Sequence, residues 1–377
     1  MASIVDQLPK SSPRPILTFD MGALQANYAY LQSLAPKTEI AGVVKANGYG
    51  CGAKEVASAL GAVGCKTFFV TSLEEALHLR GLAGLQEATI YTFNGCFKEE
   101  QSAFQINRIS PLLNSLEEWQ SWTESNAASS QVPSYGLHVD TGMNRQGMSL
   151  DDAQSIASAL DGESSGPDLV ISHLASADNA GAPFSAEQRK RFEAVKSWFG
   201  NARHSLANSA GLHLGRPYHL DVARPGIALY GGQPLTGKAV PLKPVAHLHA
   251  PILQTRVIQA GESVGYGETF RAARKARIAT LPLGYADGIL RSLSNNGFVS
   301  LGGRRAPIVG RISMDLTTVD VSEIPEELSR PGAWAEVLGE TISVDDMGKA
   351  AGSFSYEILT SLGNRYERRY IGLSEIS

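Results

Sequence analysis

Along the first two-thirds of the chain, short apolar runs alternate with stretches whose apolar residues recur every three or four positions. The runs fall at 16–19, 40–44, 67–70, 88–92, 135–139, 169–174 and 204–207. Several are rich in Val, Ile, Phe and Tyr, which favour strands. In the stretches between them, Ala23, Ala26, Leu31 and Leu34 share one helical face, as do Val56, Ala59, Leu60 and Val63. Leu73 and Leu77 repeat at i, i+4 behind Ser72, a candidate cap with Glu75 in the first turn. A further helix is expected over 186–199, before Gly200. Repeated strand–helix alternation implies a parallel sheet. Over roughly 220 residues it fits either a closed (β/α)8 barrel or an open doubly wound sheet. Near Gly231 the rhythm breaks: Gly231, Gly232, Pro234, Gly237, Pro241 and Pro244 punctuate a linker. Beyond it, 245–257 and 277–281 alternate like strands, with turns at Gly261, Gly265, Gly302, Gly303 and Gly332. The rest therefore reads as a smaller β-rich domain.

Composition narrows the function classes. Of the 377 residues, 43% are hydrophobic and 19% charged, ordinary for a globular protein. The 33 basic and 37 acidic residues leave a formal charge of -4, which gives no reason to expect nucleic acid or an anionic membrane as partner. Cys51, Cys65 and Cys96 form no CxxC pair, which points to a reduced, cytoplasmic chain. No apolar run is long enough to span a membrane. HxH at His247 and His249 lacks a third ligand nearby, so no metal site is expected. G-x-S-x-G and HExxH are absent.

Polar residues collect behind the strand-like runs. Lys45 follows Val44; His138 and Asp140 end the Tyr135 run; His173 ends the Leu169 run. Asn208 and Ser209 follow Ala207, and Arg224-Pro225-Gly226 follows Ala223. In a barrel, all these positions open on one face, where active sites sit. A lysine directly behind an apolar strand is partly desolvated. That lowers its pKa from about 10.4 and favours the neutral amine a Schiff base requires. The glycine-rich stretch 46–52 could present backbone N–H groups to a phosphate, but it is neither GxGxxG nor a Walker A loop. Arg145 has a planar fork suited to a carboxylate or phenolate. Tyr266 and Tyr285 each stand behind a glycine, with hydroxyls that could project into a cleft.

The ordered motifs together resemble the alanine racemase family, the pyridoxal-phosphate racemases of fold type III. They are Val44-Lys45-Ala46-Asn47-Gly48-Tyr49-Gly50, Asp140-Thr141-Gly142-Met143-Asn144-Arg145, Ser172-His173-Leu174-Ala175, Ala207-Asn208-Ser209-Ala210 and Arg224-Pro225-Gly226-Ile227. Gly265-Tyr266-Gly267-Glu268, Gly284-Tyr285-Ala286-Asp287, Gly310-Arg311-Ile312-Ser313-Met314-Asp315 and Ser355-Tyr356-Glu357 complete the set. Residues 1–14 lie before the resemblance and are expected to form a mobile arm; the resemblance implies an N-terminal (β/α)8 TIM-type barrel over 15–240 that binds pyridoxal 5'-phosphate. It also implies a C-terminal β domain over 241–377 that contributes to the active site of a second subunit in a homodimer. By the same resemblance, Lys45 carries the cofactor and is one acid/base, and Tyr266 is the other. Tyr49, Ser209, Tyr356, Gly226 and Ile227 hold the phosphate, and Arg224 faces the pyridine nitrogen. His173 packs on the ring, Arg145 approaches the phenolic oxygen, Met314 helps to hold the substrate carboxylate, and Tyr285 lines the access route. A chain Tyr266–His173–Arg224 would lower the tyrosine's pKa.

The substrate implied is L- or D-alanine, with D-alanine supplied for peptidoglycan. A broader amino-acid racemase, acting on serine as well, is the close alternative. A barrel-type decarboxylase is less favoured, because such enzymes usually place an acid where this chain has Arg224. Two departures from the family stand out. His138 occupies the place where many members carry a carbamylated lysine that orients the arginine matching Arg145. Ser313 stands where many have cysteine. No CO2 dependence is expected here.

Overall fold

The computed structural model describes residues 4–9, 12, 14–126, 133–160 and 166–372. It divides into two compact units, one of residues 24–229 and 233–242, the other of residues up to Ala23, 230–232 and from Lys243 onward.

The first unit is a closed parallel barrel. From Gly42–Val43, the sheet runs through Thr67–Val70, Thr89–Thr92, Ser110–Leu113, Gly136–His138, Leu169–Ile171 and Arg203–Ser205, each strand parallel to the last. Glu39–Ile40, one residue upstream of Gly42–Val43, pairs in parallel with Val222–Ala223. The Ala41 N–H donates to Ala223 O at 2.9 Å, so 39–43 acts as one strand. The ring closes where the Asp221 N–H donates to His204 O at 3.1 Å and the Arg224 N–H to Ala207 O at 2.8 Å. That makes eight strands and decides for the barrel over the open sheet. Phe68, Phe69, Ile90, Leu112, Leu113, Leu137, Leu169 and Val170 are fully buried along these strands. The Phe69 ring stacks on Tyr91 and Phe93 with centroids 5.1 and 5.5 Å apart.

Several local expectations hold. Ser72 Oγ accepts the Glu75 N–H at the start of Leu73–Arg80, and the helix expected over 186–199 runs Phe184–Trp198. The strand Ser110–Leu113 has no counterpart among the sequence runs. It is short and contains Pro111, whose missing N–H is unusual in a strand with neighbours on both sides.

The second unit holds a six-stranded sheet in the order Arg304–Pro307, Phe298–Leu301, Trp334–Leu338, Ala246–Pro251, Ile16–Asp20, Glu367–Ile371. A three-stranded sheet of Gln254–Ile258, Ala276–Leu281 and Thr317–Asp320 and a small hairpin, Ser263–Val264 with Phe270–Arg271, accompany it. Ile16–Asp20 thus differs from its expected place within 15–240. It lies inside this sheet, antiparallel to Ala246–Pro251 and parallel to Glu367–Ile371. Its burial on both faces, with Ile16, Leu17 and Phe19 fully covered, gives it the same continuous apolar signature as a barrel strand. Within the arm, Pro9 O accepts the Trp334 Nε1–H at 3.0 Å. Residues 1–3, 10, 11 and 13 of that arm lie outside the described residues.

Candidate active site

The C-terminal ends of the barrel strands bring together eight of the twelve expected residues: Lys45, Tyr49, Arg145, His173, Ser209, Arg224, Gly226 and Ile227. Behind Val43 the backbone enters a turn of unusual hand. Ala46, Asn47, Gly48 and Tyr49 have φ of 53°, 53°, 61° and 54°. Three of these four are not glycine, and each left-handed L-residue costs roughly 1–2 kcal/mol. The turn is held from inside and outside. The Gly48 N–H donates to Val44 O, the Gly50 N–H to Ala46 O, the Cys51 N–H to Gly48 O and the Gly52 N–H to Asn47 O, all at 2.8–2.9 Å. Asn47 Oδ1 accepts the Ala53 N–H, and Glu75 Oε1 accepts the Ala46 N–H at 2.7 Å. These amides are therefore committed. Of the N–H groups over 46–52, those of residues 46, 48, 50, 51 and 52 are thus taken up within the protein.

The Tyr49 side chain reaches Gly226. A Cβ on Gly226 would lie 2.1 Å from Tyr49 Oη, so only glycine fits there. Ser209 Oγ accepts the Gly226 N–H at 2.9 Å and the Ala228 N–H at 3.3 Å. The Gly226 N–H is thus engaged by Ser209, and the serine's own O–H is left to donate to an external acceptor.

Arg224 is fully enclosed, with no carboxylate acting on it among the described residues. One guanidinium nitrogen donates to Ser205 Oγ, and another donates to Ser172 O at 2.6 Å. Its Nε has no hydrogen-bond partner among the described residues. Burial alone pushes its pKa down to about 9, so it remains cationic at neutral pH. The expected His173–Arg224 hydrogen bond is absent among the described residues, because the serine hydroxyl and the carbonyl take the guanidinium. His173 is kept neutral, well below the usual imidazole range, by burial and then by the neighbouring Arg224, Arg145, His138 and Lys45.

The lysine sits in the same field. Its Nζ lies 5.5 Å from the centre of the Phe93 ring. Burial lowers its pKa first, Arg145 adds to that, and Glu75 opposes. Arg145 itself is exposed, on a loop folded around Asp140, whose carboxylate accepts the N–H groups of Gly142, Met143 and Asn144 at 2.8–3.1 Å. His138 is pushed down to about 4, first by burial and then by Arg224. The Asn114 side-chain amide donates to the carbonyls of Phe93 and Leu112, so Asn114 Oδ1 accepts from His138 Nδ1–H at 2.9 Å. That fixes the tautomer and leaves Nε2 as an acceptor.

The other four residues belong to the second unit. Tyr266 opens a short turn between Gly265 and Gly267, and a Cβ on Gly267 would lie 3.1 Å from the Arg311 guanidinium. Tyr285 and Met314 stand on two loops bound to each other: the Tyr285 N–H donates to Ser313 O and the Ala286 N–H to Met314 O, at 3.1 and 3.0 Å. Arg365 clamps both loops, reaching Asp287 at 2.6 and 2.9 Å and Asp315 at 2.8 Å. Tyr356 lies on the helix Ser355–Ser361. All four side chains are open to solvent in the single chain, Tyr266 at 72% exposure. Sequence reasoning passed over Glu75 as a clamp, and also Asn114, Asp287 and Arg365. Glu75 looked like an ordinary first-turn acid, and the others form contacts between residues far apart in sequence.

A desolvated lysine behind a barrel strand, with the Ser209 hydroxyl and a buried arginine at neighbouring strand ends, is the candidate site of a barrel enzyme. Residues 19–234 match the family described as alanine racemase, N-terminal domain, and 245–370 match alanine racemase, C-terminal domain. The chain belongs to the alanine racemase family. The alanine racemase of Acidiphilium cryptum is 46% identical over 359 residues, covering 94% of this chain and 98% of that one. A relative from Rhizobium johnstonii, named as a catabolic alanine racemase, is 42% identical over 355 residues, with 94% of each chain covered. The alanine racemase of Bartonella henselae, solved with covalently bound pyridoxal phosphate, superposes with a TM-score of 0.90 at 37% identity over 96% of this chain and all of that one. The biosynthetic enzyme of Pseudomonas aeruginosa gives 0.88 at 35% identity, over 95% and 99%.

Proposed function

We propose that this chain carries pyridoxal 5'-phosphate on Lys45 and interconverts L- and D-alanine by proton transfer between Lys45 and Tyr266. The observation that carries the reading is the buried Arg224, whose unpartnered Nε stands in the same barrel mouth as a desolvated lysine. A cation enclosed at that cost, with no carboxylate near it, fits a site completed by an electron-rich ring nitrogen. The Tyr49 and Ser209 hydroxyls and the Ile227 N–H suit the phosphate, with Gly226 giving the close approach and Tyr356 a further ligand. His173 suits the ring face, and Arg145 the phenolic oxygen.

The bound cofactor supplies the sink for the electron pair released when the substrate Cα–H bond breaks. The chain supplies everything else. Lys45 Nζ takes or returns the proton on one face of Cα, and Tyr266 Oη does so on the other. Inversion follows because the two atoms act from opposite sides. Arg224 holds its protons and has none to lend at neutral pH, which keeps the ring a weak sink and disfavours side reactions. Tyr285 and Met314 line the substrate's path. The high exposure of Tyr266, Tyr285 and Met314 supports a homodimer in which they serve the site of the second copy. D-Alanine made in the cytoplasm would enter peptidoglycan. Among the described residues no helix is long and apolar enough to cross a membrane.

The test is a chiral assay in D2O with L-alanine, L-serine and L-lysine. Equal amounts of D- and L-alanine with deuterium at Cα are expected. Similar rates for all three substrates would make this a broad racemase. CO2 from lysine without inversion would sink the reading.

A further inference from the structure

Glu75 belongs to the helix Leu73–Arg80, yet its side chain does its work one strand away. Its two carboxylate oxygens are divided between two backbones. Oε1 accepts the Ala46 N–H and Oε2 the Thr71 N–H, both at 2.7 Å. Ala46 is the residue after the lysine and the first of four left-handed residues. Thr71 directly follows the strand Thr67–Val70, the neighbour of Gly42–Val43 in the barrel. The carboxylate therefore ties the beginning of the strained turn to a rigid strand end. The charged groups that act on Lys45 are Arg145 and Glu75, while the ring packed near it is Phe93 and the imidazole within its field is His173. Of these, Glu75 alone is negative.

We propose that Glu75 is a positioning residue for Lys45. Its carboxylate anchors the left-handed turn that aims the lysine, and it is the counter-charge that keeps the buried amine able to hold a proton. The second role rests on the two-base reading above, because a base that must also return a proton needs its protonated form within reach near neutral pH. Desolvation and Arg145 both drive Lys45 toward the neutral amine, and Glu75 opposes them. The two roles require the ionised carboxylate in different ways. Anchoring needs two acceptor oxygens, and tuning needs the negative charge.

The experiment reads Lys45 directly, in the full chain freed of cofactor and without substrate. Its reaction with a small aldehyde is trapped by borohydride, followed against pH and quantified by peptide mass spectrometry. Glu75→Gln and Glu75→Ala are expected to move the midpoint to lower pH by about 0.5–1 unit. Adding Ala46→Gly, which removes the Cβ penalty at φ 53°, is expected to restore the slowed amide exchange of Gly48 and Gly50 but not the midpoint. Midpoints within about 0.2 unit of the parent in both variants would overturn the tuning role. If neither variant folds, Glu75→Asp is read instead. It keeps the charge but is too short to span both amides. Faster exchange at Ala46 with an unmoved midpoint is expected, and unchanged exchange would overturn the anchoring role. Because no turnover is involved, a failed racemase assay leaves this outcome readable.

Discussion

At the N-terminal ends of the barrel strands, Arg203 pairs with Glu39 at 2.7 Å, Thr67 donates to the same carboxylate at 2.5 Å, and Tyr91 and Ser134 donate to Asp168 at 2.6 and 2.8 Å. At the C-terminal ends, Arg224 has no acid, Lys45 sits beside a second cation, and His138 is held neutral by burial. The first end holds half-buried charge, and nearly every polar atom in its network is engaged; Asp168 Oδ1 is the exception. The second end leaves capacity unused. In a barrel, the first pattern serves stability and the second serves chemistry. A group left short of partners in the empty protein is one prepared for something that arrives later.

The comparison can be broken at either end. Lys45→Ala should have the largest effect, a loss of at least about a thousandfold in alanine racemisation, because it removes both the attachment point and a base. Arg224→Met should lower kcat by about a hundredfold. It should also leave unchanged or raise the thermal midpoint of the cofactor-free protein, since a buried unpaired cation is removed. A marked loss of stability there would place Arg224 with the structural end. His138 gives a pH test. Its folded-state pKa of about 4 lies below the ordinary 6.5, so the unfolded chain takes the proton first. The stability it leaves intact above pH 6.5 is lost as pH falls toward 4, by up to about 3 kcal/mol. His138→Asn should remove that part of the acid limb in denaturant titrations. His138→Lys, unlike the parent, should acquire a bicarbonate-dependent rate. The smallest change is expected from Arg203→Met: about 0.5–1 kcal/mol of stability, since the pair is partly solvated, with kcat unchanged. A kcat change there would erase the division between the ends.

Much of this was legible in the sequence, for physical reasons that differ by region. The alternation of apolar runs exposed the parallel sheet but not whether it closes, which only the family resemblance implied, and a lysine behind Val44 marked its open face. Ser110–Leu113 was hidden by a proline, and Ile16–Asp20 was misplaced because full burial erases the alternation that distinguishes one sheet from another. The turn after Lys45 was hidden as well. Glycines at 48, 50 and 52 advertise left-handed backbone, but Ala46, Asn47 and Tyr49 do not. The tertiary contact from Glu75, 29 residues further along, joins the turn's own hydrogen bonds and leaves no local mark in the sequence. The fixed tautomer of His138 was unreadable for a similar reason, since Asn114 lies on another strand's end.

The position of Ile16–Asp20 has a consequence for how the molecule is made. This strand is synthesised before the barrel strands, yet both of its partners come after them. Its neighbours, Ala246–Pro251 and Glu367–Ile371, are synthesised only after the whole barrel sequence between them. At roughly 5–20 residues per second, an apolar segment therefore waits unpaired for on the order of ten seconds or more while the barrel can already close. During translation the first strand must be sheltered by something other than its own sheet.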